Sequence, residues 1–159
     1  MSDPYLLVKW LHVVSATILF GFGGGTAYYL WMAHLTGHAP TIARVGRMVV
    51  HADWIFTGTS GILQPLTGFA LIRMEGFSPL EPWLLVTYGL YILAFGCWAP
   101  VVWLQIKAQR LAAQAARADI PLGPDYRRVM RLWIMLGWPA FLSLLLIYWL
   151  MVSKPALWG

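Results

Sequence analysis

Charge is scarce in this chain, and acid is scarcer still. Only 11% of its 159 residues are Asp, Glu, Lys or Arg, and six of those are acidic. A water-soluble domain carries about a quarter charged residues, so that class is excluded. Cysteine occurs once, at Cys97, which rules out an internal disulfide and a cysteine-built metal site. The sequence holds no phosphate-binding loop, no HExxH and no internal repeat.

Apolar residues fill the space instead. They make up 60% of the chain, and the mean hydropathy is +0.67. Four long apolar stretches stand out, roughly 5–33, 46–72, 83–106 and 132–153. Each exceeds the ~20 residues that cross ~30 Å of hydrocarbon at 1.5 Å per residue. The first does not read as a cleavable signal: it opens with Asp3 in place of a basic cluster, runs too long and lacks a small-residue cleavage site. QIKAQRLAAQAARAD at 105–119 has the composition of a solvated helix, and IPLGP stops it. The third helix is therefore expected over 83–116 and the fourth over 130–153. The expected fold class is all-α, a polytopic four-helix transmembrane bundle forming one domain over 1–159.

The basic residues orient this bundle. Arg44 and Arg47 fall between helices one and two, and Lys107, Arg110, Arg117, Arg127, Arg128 and Arg131 between three and four; these are 8 of the 11. Lys9, Arg73 and Lys154 fall on the other side. Such an excess marks the cytoplasmic face and places both termini outside. The formal charge of +5 thus answers to topology and anionic headgroups, and gives no case for nucleic acid. Trp10, Trp83, Trp149 and Trp158 near the outer interface, and Trp31, Trp103 and Trp133 near the inner one, read as aromatic belts. Trp54 and Trp138 lie deeper and are expected to face other helices.

One span carries residues that lipid penalises: HADWIFTGTSGILQPLTG, from residue 51. At 100° per residue, Asp53, Thr57, Ser60, Gln64 and Thr67 share a face. His51, Trp54, Gly58, Gly61, Pro65 and Gly68 form a strip beside it. The expectation is that this half of the helix turns toward protein, cofactor or water. Helix one has a matching stripe of His12, Ser15, Leu19, Phe22, Thr26 and Tyr29, interrupted by Gly21, Gly23, Gly24 and Gly25. That glycine cluster permits close approach of a second helix, or of a flat cofactor ring with Gly24 in its shelf. Pro65, Pro100 and Pro139 free the carbonyls four residues earlier.

Histidine is the usual axial ligand of heme iron, and His12 and His51 stand inside apolar stretches, whereas His34 and His38 flank a short turn at the surface. His12 is expected ~10 Å below the outer boundary and His51 ~8 Å above the inner one, by the helical rise. Across ~30 Å of hydrocarbon they differ by ~12 Å in depth, which argues against one shared iron. Asp53 must be paired or protonated. The favoured partners are Arg47, Arg131 or His51, in an ion pair locking helix two to helix four; a proton relay through Asp53, Thr57, Ser60 and Gln64 is the functional alternative.

ADWIFTGTSGILQPLTG, CWAPVVWLQ, YRRVMRLWIMLGWPAF and WLMVSKPAL resemble the signature blocks of a bacterial family of four-helix integral membrane proteins without assigned function. More distantly, Lys9-Trp10-Leu11-His12, His34, Tyr126-Arg127 and Val152-Ser153-Lys154-Pro155 resemble the HemJ-type membrane-bound protoporphyrinogen IX oxidases. That second likeness implies heme b with His12 as an axial ligand. It departs on helix three, where the oxidase pattern has a histidine and a lysine and this chain has neither.

The resulting expectation is a bacterial inner-membrane protein with periplasmic termini that binds heme b through His12 and works with a quinone or porphyrin-like partner. His51 is a second ligand or proton carrier, and the sixth position at His12 is open among a five-coordinate iron, Met151, Lys154 and a partner chain. Asp53 and Gln64 supply proton chemistry. The alternatives are a cofactor-free transporter or an accessory subunit of a larger complex that uses the polar seam, a seam that serves only as packing glue, and a homodimer built on small-residue faces.

Overall fold

The computed structural model describes residues 3–157, so Trp158 lies outside the described residues. Four long helices follow in order: α1, Pro4–Leu35; α2, Ala39–Glu75; α3, Pro82–Ala118; and α4, Pro124–Ser153. All four are long and apolar enough to cross a membrane, and the described residues contain no strand.

Local chemistry explains where each helix starts and stops. The Asp3 carboxylate accepts the Tyr5 backbone N–H at 3.0 Å, satisfying a donor that the first turn of α1 leaves free. Proline occupies the first turn of every helix, where a missing N–H costs nothing and φ is already set. Gly76, at φ +73°, closes α2 in a left-handed cap.

Two starts differ from the sequence-based reading. α2 begins at Ala39 and α4 at Pro124, six or more residues before the apolar stretches do. Arg44, Arg47, Arg127 and Arg128 therefore sit on helices and not in loops. Hydropathy falls off at the arginines, but arginine is a good helix former, and Pro40 and Pro124 mark the true starts.

α2 is not uniform. Asp53–Gly58 forms a π-helical segment, and α2 parts from α3 there. Its first part, Ala39–Ala52, packs on both α3 and α1, whereas Thr59–Glu75 keeps to α1. α3 and α4 pack along their lengths, while α1 approaches α4 only lightly. The seam between early α2 and α3 is built from small residues: Ala39, Ala43 and Gly46 against Ala108, Ala112 and Ala115. A Cβ added at Gly46 would stand 3.1 Å from Gln109 Cβ, so glycine here sets the close approach of the backbones.

Packing gathers at the two ends. At the arginine-rich end, Leu30, Ile42, Ala108, Tyr126 and Met130 belong to one buried cluster. At the other, Ile72, Trp83, Leu84 and Leu150 form a second. A clasp ties that second end: Tyr5 donates to Glu75 at 2.6 Å, Lys154 donates to Glu75 at 3.3 Å, and the Lys154 ammonium stands 4.5 Å from the Phe77 ring centre. The start of α1 and the ends of α2 and α4 thus share one end. Leu6, Ile62, Ile92, Trp149 and Val152 are exposed, as lipid-facing residues of a membrane bundle are. Trp10, Trp31, Trp103 and Trp149 are exposed like belt residues, but Trp83 and Trp133 are buried, because helix packing claims them first.

Candidate ligand cavity

Between the two packed ends lies a cavity of about 410 Å³, bounded by all four helices. α1 contributes Leu19, Phe20, Gly23, Gly24, Ala27, Tyr28 and Trp31; α2 contributes Asp53, Thr57 and Gly61. From α3 come Tyr91, Phe95, Trp98, Val101 and Gln105, and from α4 Trp133, Trp138, Phe141 and Leu144, among others. This size lies within the range of small-molecule sites, and so does the apolar lining with a few polar groups. Tyr28, Trp31, Phe95 and Trp138 line it and are also exposed on the outer surface, so the cavity communicates with the membrane-facing side.

The glycine cluster of α1 is explained here. Gly23 and Gly24 face the cavity: an added Cβ would meet nothing within 4 Å at Gly23, and at Gly24 it would touch the Phe141 ring edge of α4 at 3.6 Å. The glycines form a flat wall and not a helix–helix contact.

Asp53 is 3% exposed. Its Oδ1 lies 3.0 Å from the Thr26 hydroxyl and 3.1 Å from that of Thr57, the Thr26 hydroxyl also standing 2.7 Å from the Phe22 carbonyl. The expected ion pair with Arg47, Arg131 or His51 is not formed; Lys154–Glu75 is the one salt bridge among the described residues. Two hydroxyls replace the cation, because the π segment turns Asp53 inward, toward α1 and the cavity. Gln105 of α3 stands beside the carboxyl.

The rest of the polar face of α2 is absorbed in helix packing. Gln64 donates to the His12 carbonyl at 2.9 Å and to the Ser15 hydroxyl at 2.6 Å. Thr67 donates to the Leu63 carbonyl at 2.7 Å, leaving its oxygen to accept from His12 Nδ1 at 2.7 Å. This network puts the imidazole hydrogen on Nδ1 and a lone pair on Nε2. His12 does not line the cavity.

His51 is exposed, and hydrogen-bonds to nothing among the described residues. Trp54, expected to face a neighbouring helix, is exposed as well, with only an edge against Trp98. At 100° per residue His51 and Trp54 stand about 160° and 100° round the helix from Asp53, so turning the Asp53 face inward leaves both on the outer side of α2. Trp138 lines the cavity yet stays largely exposed. His34 is half-buried and meets the Tyr126 hydroxyl at 3.0 Å, while His38 is exposed beside Thr41. Lys154 is held by Glu75 at the far end of the bundle, and Met151 packs there with the second cluster.

The sequence reading did not single out Trp98, Gln105, Trp133 or Tyr91 for the site. Gln105 opens the stretch 105–119 that reads as a solvated helix, yet it is 2% exposed, because α3 packs on α2 at that level. The tryptophans carried no signal beyond their number.

Fold and cavity together define an integral membrane protein with four membrane-spanning helices around a chamber that reaches its lipid-facing surface. The chain belongs to the predicted integral membrane protein family DUF2269, whose model matches residues 6–155. No curated protein and no solved structure matches the chain.

Proposed function

We propose that this protein binds a flat, largely apolar molecule that enters from the bilayer, with a quinone as the redox-active partner of that shape. The observation that carries the reading is the wall of Gly23 and Gly24, which lines the chamber with open space over Gly23 and the Phe141 ring edge beside Gly24. Planar rings gain from stacking on such surfaces, and an entrance flanked by exposed aromatics suits a molecule dissolved in lipid.

Heme b fits this arrangement poorly. The tautomer of His12, fixed through Thr67, is one that an axial ligand needs. Yet the chamber is lined by no histidine, His51 faces outward, Lys154 is engaged by Glu75, and no group of three His, Cys, Asp or Glu gathers among the described residues. A quinone needs none of these ligands.

The seam of α2 also supports a packing role, since Gln64 and Thr67 are consumed in bonds to α1. That use is compatible with ligand binding at Asp53, and it disfavours a continuous proton path. The arginine-rich end is read as cytoplasmic and the termini as periplasmic in a bacterial inner membrane. An alkaline phosphatase fused to the C-terminus should accordingly be active and a fluorescent protein fused there dark.

Titration of the purified protein with a short-tailed naphthoquinone tests the binding. Tryptophan fluorescence should quench saturably, and Gly24→Leu should weaken the effect at least about tenfold by filling the wall. Quenching that rises linearly and equally in both proteins would count as partition into detergent and end the reading.

A further inference from the structure

We infer that the cavity selects an amphiphile whose ring carries a free hydroxyl, held at the arginine-rich end, with an apolar tail running toward the middle of the bilayer. This inference rests on the cavity being a ligand site and adds the head-group chemistry and its direction.

The cavity is long and polarised. Along α1 its lining runs from Leu19 to Trp31, roughly 18 Å at 1.5 Å per residue. Contacts between helices set which residues share a level. Phe20 meets Phe141 and Tyr148, so Leu19, Phe20 and Leu144 make one end, which is apolar. Thr26 meets Asp53, and Gln105 stands beside that carboxyl, with Trp133 at the same end of the α4 lining. This second end is polar. It lies just inside the first basic residues of three helices, Arg47, Lys107 and Arg131, which mark the interface. An amphiphile lying head-outward in that leaflet already has the orientation the cavity offers.

The polar end has spare hydrogen-bonding capacity. Gln105 and Trp133 are 2% and 5% exposed, and both line the cavity. Gln105 Oε1 and Trp133 Nε1 are buried without a protein partner, as is Trp98 Nε1 higher on the wall. Asp53 spends Oδ1 on Thr26 and Thr57, and the Gln105 side chain reaches the same carboxyl. Buried polar atoms are normally paired, because leaving them bare costs about as much as a lost hydrogen bond or more. The set is one unpartnered acceptor, Gln105 Oε1, next to the Asp53 carboxyl, and an indole N–H donor, Trp133 Nε1, at the same end of the lining. A ring hydroxyl matches it: the O–H donates to Asp53 or Gln105, and its oxygen accepts from Trp133. A quinone carbonyl satisfies only the donor, so of the two redox forms the quinol is the one this end holds tighter. A methyl ether likewise offers no hydrogen, and adds a methyl beside a carboxyl group.

The probes are 4-nonylphenol and its methyl ether, 4-nonylanisole, titrated into the full-length protein in detergent and followed by tryptophan fluorescence. The phenol should bind about tenfold tighter or more, the value of one hydrogen bond to a buried polar group. Asp53→Asn and Gln105→Leu keep size and shape and should each narrow that preference toward unity. Retained binding of the ether in these variants shows that the cavity is still folded. Equal affinities for phenol and ether in the wild type would overturn the inference while leaving a ligand cavity in place, and so would an undiminished preference in both variants. No saturable binding of either probe or of naphthoquinone would overturn the cavity reading itself.

Discussion

The Tyr91 hydroxyl of α3 donates to the carbonyl of Gly61 on α2, and Gly61 is four residues before Pro65. Proline has no N–H to give that carbonyl, so α2 reaches the middle of the bundle with an acceptor unpaired. A tyrosine from the neighbouring helix meets it. The contact also fixes Tyr91 in the cavity wall, so a backbone repair and a binding surface share one side chain.

Tyr91→Phe removes this donor and leaves the carbonyl with no water to replace it. The expected loss is about 1 kcal/mol, in line with polar contacts between helices in membranes. Unfolding by denaturing detergent should show an earlier midpoint in the variant. An unchanged midpoint would mean that the carbonyl finds another partner.

Gly46 and Gly23 make a contrasting pair. At Gly46 a side chain runs into Gln109 on α3, so Gly46→Leu should destabilise by about 1–3 kcal/mol through overpacking. At Gly23 the space is open, and Gly23→Ala should leave the unfolding midpoint unchanged or raise it slightly through better helix propensity. A loss at Gly23 as large as at Gly46 would refute the distinction between wall and packing contact.

The purified protein should show no Soret band that depends on His12. Absorbance between wild type and His12→Ala is the comparison, after expression with ample heme. A band present in the first and absent from the second would restore the heme reading, with Nε2 as the ligating atom.

Glu75→Gln breaks the ion pair to Lys154 at the end of the bundle. Because Lys154 is 42% exposed there, water screens the pair and the loss should stay below about 1 kcal/mol. It should shrink further in 1 M salt, where charges are screened within about 3 Å. A salt-independent loss would point instead to the hydrogen bond from Tyr5.

How far the sequence carried the structure depends on the residue. The four spans were plain, because crossing hydrocarbon demands length and apolarity that few other folds require. The polar face of α2 from Asp53 to Thr67 was plain as well, and Asp53, Thr57, Ser60 and Thr67 are indeed buried. His51 was misplaced because the strip it opens lies about 160° round the helix from Asp53 at that point, and only one of the two faces turns inward. Asp53 was assigned a cation because charge is visible in a sequence, whereas the hydroxyls of Thr26 and Thr57 that meet it depend on which helices are neighbours.

Composition alone made this a membrane bundle of four helices, since solvation and the helical rise act on each span separately. Which helices touch was settled only by the tertiary structure. α2 leaves α3 at its π turn and keeps only α1 close beside it, α1 keeps apart from most of α4, and the room left among them is the cavity. Side chains from four distant segments define that room, and its existence reflects how rigid helices pack around a bend rather than any one residue's preference.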